Sequence, residues 1–357
     1  MRTSSPGRDE TKITPRRAPL QVTRLSALAL VLFHLGCVAP NTEPSPTEPT
    51  GPLRVVFIAD THIIGPQYTC CSESEGVDND SIMRGPERLA DTVAQINAIT
   101  PPPDRVFLLG DVLHDAYHSQ DPQWYATEES AFSVAADLLA GLQVPLHILW
   151  GNHDYEVHCG GGDHHYSRDL SHQLFTNVFG AETHGSVDAG GWRFLLLNSQ
   201  LGPTWDIESP LCDTGMGSFG EEQLAWVDSQ LGAGLPSIVM SHHHMLTSIQ
   251  REENDGDHPD LPSVLERHDN VAAHMAGHLH RWYDLEPSGI TPVRHLILGA
   301  TRYDTDNFWL VEFSNDGSFE IVDYEKPQWL TTCADHWTYE GDPQIDSSSI
   351  EAGDCSF

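Results

Sequence analysis

Short apolar runs recur along the chain, and five of them stop at a cluster of polar side chains. LRVVFIA (53–59) ends at Asp60-Thr61-His62, RVFLL (105–109) at Gly110-Asp111, and PLHILW (145–150) at Gly151-Asn152-His153-Asp154. SIVM (237–240) ends at Ser241-His242-His243-His244, and VAAHMA (271–276) at Gly277-His278-Leu279-His280. Continuous apolar runs of this length predict strands buried on both faces. Between them, 84–99, 127–141 and 220–231 carry apolar residues at helical spacing, such as Leu224, Val227 and Leu231, and predict helices. The stretch 186–198 predicts an antiparallel pair, and 291–298, 307–313 and 318–324 predict further strands, with a turn at Asn315-Asp316-Gly317. Strands alternating with helices, plus this second set, predict an α/β fold: a four-layer αββα sandwich with two central mixed β-sheets face to face and helices outside.

In such sheets ligands bind beyond the carboxyl ends of the strands, where the loops converge. A single Asp after a strand is ordinarily a turn or cap residue, and a single His a surface group. Five clusters at one edge point instead to one site. Its inventory is Asp60, His62, Asp111, Asn152, His242, His278 and His280. Mixed nitrogen and oxygen donors suit Mn, Fe or Zn rather than Ca or Mg, and the lack of paired cysteines near these turns argues against a thiolate zinc site. Seven donors exceed the needs of one ion, so the expected cofactor is two divalent transition-metal ions sharing a carboxylate.

The ordered set DxH, GD, GNHD, a His after a strand, and GHxH, spread over 53–282, resembles that of the calcineurin-like metallophosphoesterases. The resemblance implies that Asp60, His62 and His280 bind one ion, Asn152, His242 and His278 the other, and that Asp111 bridges them. It makes His153 the group that meets the phosphate or leaving oxygen, with Asp154 orienting it. The implied reaction is hydrolysis of a phosphomonoester or phosphodiester by in-line attack of a metal-bound water. One departure is His114, which stands in GDVLH where purple acid phosphatases carry the Tyr of GDxxY; a metal or substrate contact and an ordinary loop position both stay open. Within the histidine triplet, His242 takes the ligand position. His243 would point the other way along an extended chain, and His244 stands where relatives often have Pro.

Composition narrows the partners. The 357-residue chain holds 18 Lys and Arg against 52 Asp and Glu, a formal charge of −34. Such a surface repels nucleic-acid backbones and acidic membranes, so a small phosphoester is expected and a nucleic-acid polymer is not. Two divalent ions would leave the site locally positive within that acidic surface. At the amino end, Arg2, Arg8, Lys12, Arg16, Arg17 and Arg24 precede an apolar stretch, 25–35, that leads to Gly36-Cys37. This is the pattern of a secretory signal, too short to span a bilayer, and LGC at 35–37 resembles a bacterial lipobox, with His34 in place of the usual Leu. The expected organisation is a signal and lipobox (1–37), a Pro/Thr/Glu-rich tether (38–52), a metallophosphoesterase domain (53–326) and a disulfide-tied tail (327–357). Export follows, as a cell-envelope lipoprotein of the outer membrane or periplasm or as a secreted protein, with membrane contact only through an N-terminal lipid anchor. Six further cysteines, Cys70, Cys71, Cys159, Cys212, Cys333 and Cys355, are expected to form disulfides, the adjacent pair with two different partners.

Two long loops, 63–83 and 155–172, leave the ligand-bearing edge and are expected to wall the pocket. His158, His164 and His165 in the second read as a solvated stretch rather than a third metal site. Trp205, Trp282 and Tyr283 are placed either to stack on a substrate or to pack. Two other functions compete with phosphoester hydrolysis in general: sphingomyelinase-type cleavage of lipid head groups, and a non-catalytic cell-surface binding protein, which the intact ligand set opposes.

Overall fold

The computed structural model describes residues 51–69, 77–157, 159, 168–246, 249, 260–289 and 291–322. The expected signal, lipobox and tail and the tether as far as residue 50 lie outside these residues, as do Cys70, Cys71, Cys333, Cys355, His158, His164 and His165. The strands are β1 (Leu53–Ile58), β2 (Arg105–Leu109), β3 (Leu146–Leu149), β4 (Gly185–Ala189), β5 (Trp192–Leu196), β6 (Ser237–Met240), β7 (Val271–Ala276), β8 (Tyr283–Leu285), β9 (His295–Ile297), β10 (Phe308–Phe313) and β11 (Phe319–Ile321). The helices are α1 (Val77–Met83), α2 (Gly85–Ala98), α3 (Pro122–Thr127), α4 (Ala131–Leu139), α5 (Arg168–Phe179), α6 (Glu221–Leu231) and α7 (Leu261–Glu266).

Two mixed sheets form, in the orders β11-β10-β1-β2-β3 and β4-β5-β6-β7-β9-β8. Pairing is parallel from β1 through β3 and from β5 through β7 to β9, and antiparallel between β1 and β10, β10 and β11, β4 and β5, and β8 and β9. Side chains alternate across each strand, so the unbroken apolar runs feed two cores at once. In β1, Val56 and Ile58 join an outer cluster with Leu89, Val93 and Ile96 of α2 and Phe132 and Leu139 of α4. Val55 and Phe57 face the other way, into a core shared with Phe194, Met240, Met275, Leu296 and Trp309. A third cluster packs Leu224, Val227 and Leu231 of α6 and Val264 and Leu265 of α7 on Leu195 and Val239. Helix, sheet, sheet, helix is the expected four-layer order.

Local departures have local causes. The helix expected over 127–141 is α4 alone and starts only at Ala131, because Glu128 and Ser130 are extended and part it from α3, which ends at Thr127. The segment 291–298 contributes only β9, and β8, which pairs with it, carries no apolar run of its own. Helix α1 occupies part of the expected loop 63–83, and α5 begins inside 155–172. Helix α7 starts where Asp260 Oδ1 accepts the Ser263 amide at 2.9 Å, an N-cap that the short apolar stretch alone did not announce.

Candidate metal centre

All five polar clusters follow the carboxyl ends of β1, β2, β3, β6 and β7. The turns stay zipped beyond the strands: Asp60 N donates to Gly110 O (3.1 Å), His62 N to Asp111 O (3.0 Å), and Gly277 N to His242 O (3.1 Å). The described non-glycine residues with positive φ are Asp60, His62, Asp111, Asp115, His278 and His280, at 46° to 71°. Five of these six are expected ligands. Left-handed backbone costs a non-glycine residue about 1–2 kcal/mol, so its concentration here marks a site whose side-chain directions outweigh local comfort. Close packing explains two neighbouring glycines. A Cβ on Gly277 would lie 2.6 Å from Asp60 Oδ2, and one on Gly151 would collide with Asp111.

The seven expected ligands form two groups around one carboxylate. Donor atoms of Asp60, His62, Asp111 and His280 all lie within 4.8 Å of one another. His62 Nε2 is 3.2 Å from His280 Nε2 and 3.4 Å from Asp111 Oδ2, and His280 Nε2 is 3.4 Å from Asp60 Oδ1. In the second group, Asn152 Oδ1 lies 3.0 Å from His242 Nε2 and 2.9 Å from His278 Nδ1, and His242 Nε2 is 3.2 Å from Asp111 Oδ2. Ligand bonds of about 2.0–2.1 Å in tetrahedral or octahedral arrangements separate neighbouring donors by roughly 2.9–3.4 Å. The observed spacings fall in that range, so the residues fit a pair of ions.

Charge divides the site into an ionised axis and neutral flanks. Burial disfavours charge on His242, but the Asp111 carboxylate and its hydrogen bond, with Asp60 behind them, raise this imidazole to about 9. Burial likewise opposes charge on Asp111, and the His242 and His153 imidazoles more than offset it, holding the carboxyl well below its usual range. His62 is pushed well below the ordinary histidine value by burial and by the Arg302 charge, and His278 to about 3 by burial and by His242. The His242 ring is fixed from behind, its Nδ1 donating to Leu109 O at 2.8 Å.

His153 is half-buried, its ring edge-on to His62 (centroids 4.8 Å) and stacked on His114 (5.0 Å, 24°), and its backbone amide donates to Asp111 Oδ1 at 2.8 Å. Asp154, expected to orient His153, bonds backbone amides instead. Its buried oxygens accept the amides of Leu113, in the turn after β2 (3.0 Å), and of Gly151, in its own turn (2.8 Å). His114 Nδ1 lies 3.3 Å from His62 Nδ1, on the side of that ring away from Asp111. His243 is fully buried with Nδ1 2.8 Å from Ser199 Oγ, and His244 is buried beside the His278 ring. Trp282, Tyr283 and Trp205 are also buried: Trp282 packs tilted against Trp309 and donates to Asn307 Oδ1 (3.1 Å), and Trp205 donates to Met216 O (2.9 Å). These aromatics pack rather than offering a stacking surface. Cys159 and Cys212 form a disulfide that ties the loop after β3 to the one after β5.

Sequence reasoning missed Arg302. Its guanidinium Nη2 is 3.3 Å from His280 Nδ1 and donates to Tyr303 OH at 2.7 Å, and its backbone amide donates to Asp60 O at 3.2 Å. The signal was present in the sequence, since HLILGA (295–300) is a sixth apolar run that stops at the same edge, at Thr301-Arg302.

The chain is similar to known proteins. The family model described as calcineurin-like phosphoesterase matches residues 53–282. A human protein, manganese-dependent ADP-ribose/CDP-alcohol diphosphatase, is 23% identical over 265 residues, which cover 59% of this chain and 73% of that protein. Among solved structures, a dimetal phosphatase from Danio rerio is 19% identical with a TM-score of 0.45, covering 74% of this chain and 93% of that one. A purple acid phosphatase from yellow lupin (Lupinus luteus) seeds is 16% identical with a TM-score of 0.44, covering 75% and 51%. With the match spanning residues 53–282, which contain all five polar clusters, the chain belongs to the calcineurin-like phosphoesterase family and is a metal-dependent phosphoesterase.

Proposed function

We propose that this protein hydrolyses a phosphomonoester or phosphodiester at a two-ion centre. Asp60, His62, Asp111 and His280 hold one ion; Asp111, Asn152, His242 and His278 hold the other. The observation that carries this reading is a single atom, Asp111 Oδ2, which lies 3.4 Å from His62 Nε2 and 3.2 Å from His242 Nε2 and so borders both donor groups. When bound, the ions supply Lewis-acid polarisation of the phosphoryl oxygens and a nucleophile at neutral pH.

The chain's own groups do the rest. Asp60, His62, Asp111 and His242 are fully buried while Asn152, His153, His278 and His280 are partly exposed, so the substrate approaches on the side of the latter four. Burial keeps the His153 imidazole below its ordinary value. It is therefore neutral near pH 7 and donates a hydrogen bond to the phosphoryl or leaving oxygen. Asp154 acts through the backbone, fixing the turn that carries Asn152 and His153. Arg302 adds a fixed positive charge beside His280 that favours a phosphate anion.

The human relative's name supports including diphosphate diesters of nucleotides among the candidate substrates and Mn among the first ions to try. We further propose export with anchoring at Cys37, a reading supported by the Cys159–Cys212 disulfide, because such bonds persist in oxidising compartments. The test is a panel of model monoesters, model diesters, nucleotide diphosphate esters and sphingomyelin, assayed with Mn, Zn and Fe. Turnover of one ester class that disappears in Asp111→Ala and His242→Ala is expected. Full activity in either variant would overturn the assignment.

A further inference from the structure

His274 of β7 and His295 of β9 are register partners on the face of the second sheet opposite Met275 and Leu296, which point into the inter-sheet core. Both are fully buried, as is Ser241. The backbone amide of Met245 donates to His295 Nε2 at 3.2 Å. That nitrogen must therefore be bare, and a neutral His295 carries its proton on Nδ1. His295 Nδ1 lies 3.0 Å from His274 Nδ1 and 3.2 Å from His274 O. Two protonated nitrogens cannot face each other at 3.0 Å, so His274 Nδ1 is bare and its proton sits on Nε2, 2.9 Å from Ser241 Oγ. The Ser241 hydroxyl in turn donates to His243 O at 2.8 Å. Each assignment forces the next, from the Met245 amide to the His243 carbonyl. Burial keeps both rings uncharged, lowering His295 to about 4 and His274 well below the ordinary value.

Both ends of this sequence of bonds lie on the same turn, 241–245, which carries His242. Apolar residues at 274 and 295 would suit the surrounding core, but they would leave the buried Met245 amide without its acceptor and the buried Ser241 oxygen without its donor, while the Ser241 hydroxyl kept its bond to His243 O; each loss costs about 1–3 kcal/mol. We propose that His274 and His295 are positioning residues whose fixed tautomers brace turn 241–245 and thereby hold the His242 imidazole in place for its ion. The effect on ion binding rests on the two-ion reading; the tautomers do not.

The experiment has two arms. In the ion-free protein with 15N-labelled histidine, long-range 15N–1H spectra, assigned by loss of signals in His274→Gln and His295→Gln, are expected to show His295 protonated on Nδ1 and His274 on Nε2, unchanged from pH 6 to 8. An Nε2-protonated His295, or averaging between tautomers at either ring, would overturn the proposal. In the second arm, Mn titrations compare His295→Leu with His295→Gln, whose amide can both accept from Met245 and donate to His274. Leu is expected to weaken one of the two ions about 10- to 100-fold, the usual effect of losing an outer partner of a ligand. The other ion should change less than twofold, and Gln should recover most of the loss. Unchanged binding of both ions, or equal weakening of both, would overturn the bracing role. If His295→Leu fails to fold, the nitrogen spectrum and His295→Gln decide the matter. A wild-type protein that takes up no second ion would sink the two-ion reading and leave the nitrogen spectrum as sole judge of the tautomers.

Discussion

Ion binding should eject a proton from His242. In the ion-free protein this ring is held between Leu109 O, 2.8 Å from Nδ1, and Asp111 Oδ2, 3.2 Å from Nε2. With its pKa raised to about 9, both nitrogens carry protons at neutral pH. At pH 7 the ring is almost wholly protonated, so an ion seated at Nε2 must displace close to one proton. Removing that proton at pH 7 costs about 3 kcal/mol. Affinity for that ion should therefore rise about tenfold per unit between pH 7 and 8, then level off near 9. His278, held to about 3, and His62, held well below its ordinary value, are already neutral and contribute none. Calorimetric titration of Mn in buffers of different ionisation enthalpy counts the protons released, and His242→Asn keeps a donor atom without a titrating one. The variant should release one proton fewer than wild type at pH 7. Equal release by the two proteins, or an affinity flat from pH 7 to 9, would refute the reasoning.

The same group sets the pH dependence of ion-free stability. Because the folded value of His242 lies above 6.5, its contribution of about 3 kcal/mol is fully present below pH 6.5 and is lost as pH rises through 9. Melting curves of the ion-free protein should show that decline, and those of His242→Asn should lack it. Arg302→Met should lower kcat/KM about 10- to 100-fold, mainly through KM, the scale of one hydrogen bond to a charged group; a change under twofold in steady-state kinetics would remove Arg302 from phosphate binding. Replacing Cys159 and Cys212 by Ala opens a crosslink spanning 53 residues. Chain entropy sets that loss at up to about 4 kcal/mol in denaturant unfolding.

The sandwich was legible because buried strands leave a simple trace, runs of apolar residues whose two faces feed two cores, as Val56 and Phe57 do. The candidate ligands were legible because each follows closely on such a run. What escaped notice depends on distant partners. Strand β8 is held by pairing with β9 rather than by its own pattern, and α7 by its Asp260 cap. For Asp154 the family resemblance implied a role in orienting His153. Only the fold shows that the Leu113 amide, 41 residues away, is the partner of Asp154. The roles of His243, His274 and His295 are likewise set by groups on other strands, and no spacing rule reports those.

Two paramagnetic ions that share a carboxylate oxygen couple magnetically, whereas isolated ions do not. Electron paramagnetic resonance of the Mn-loaded protein therefore tests most directly whether Asp111 joins two ions. The geometry predicts two Mn per chain with an exchange-coupled spectrum, and loss of both the coupling and turnover in Asp111→Asn. A single ion per chain, or two ions with uncoupled spectra in the wild type, would contradict the shared-carboxylate centre.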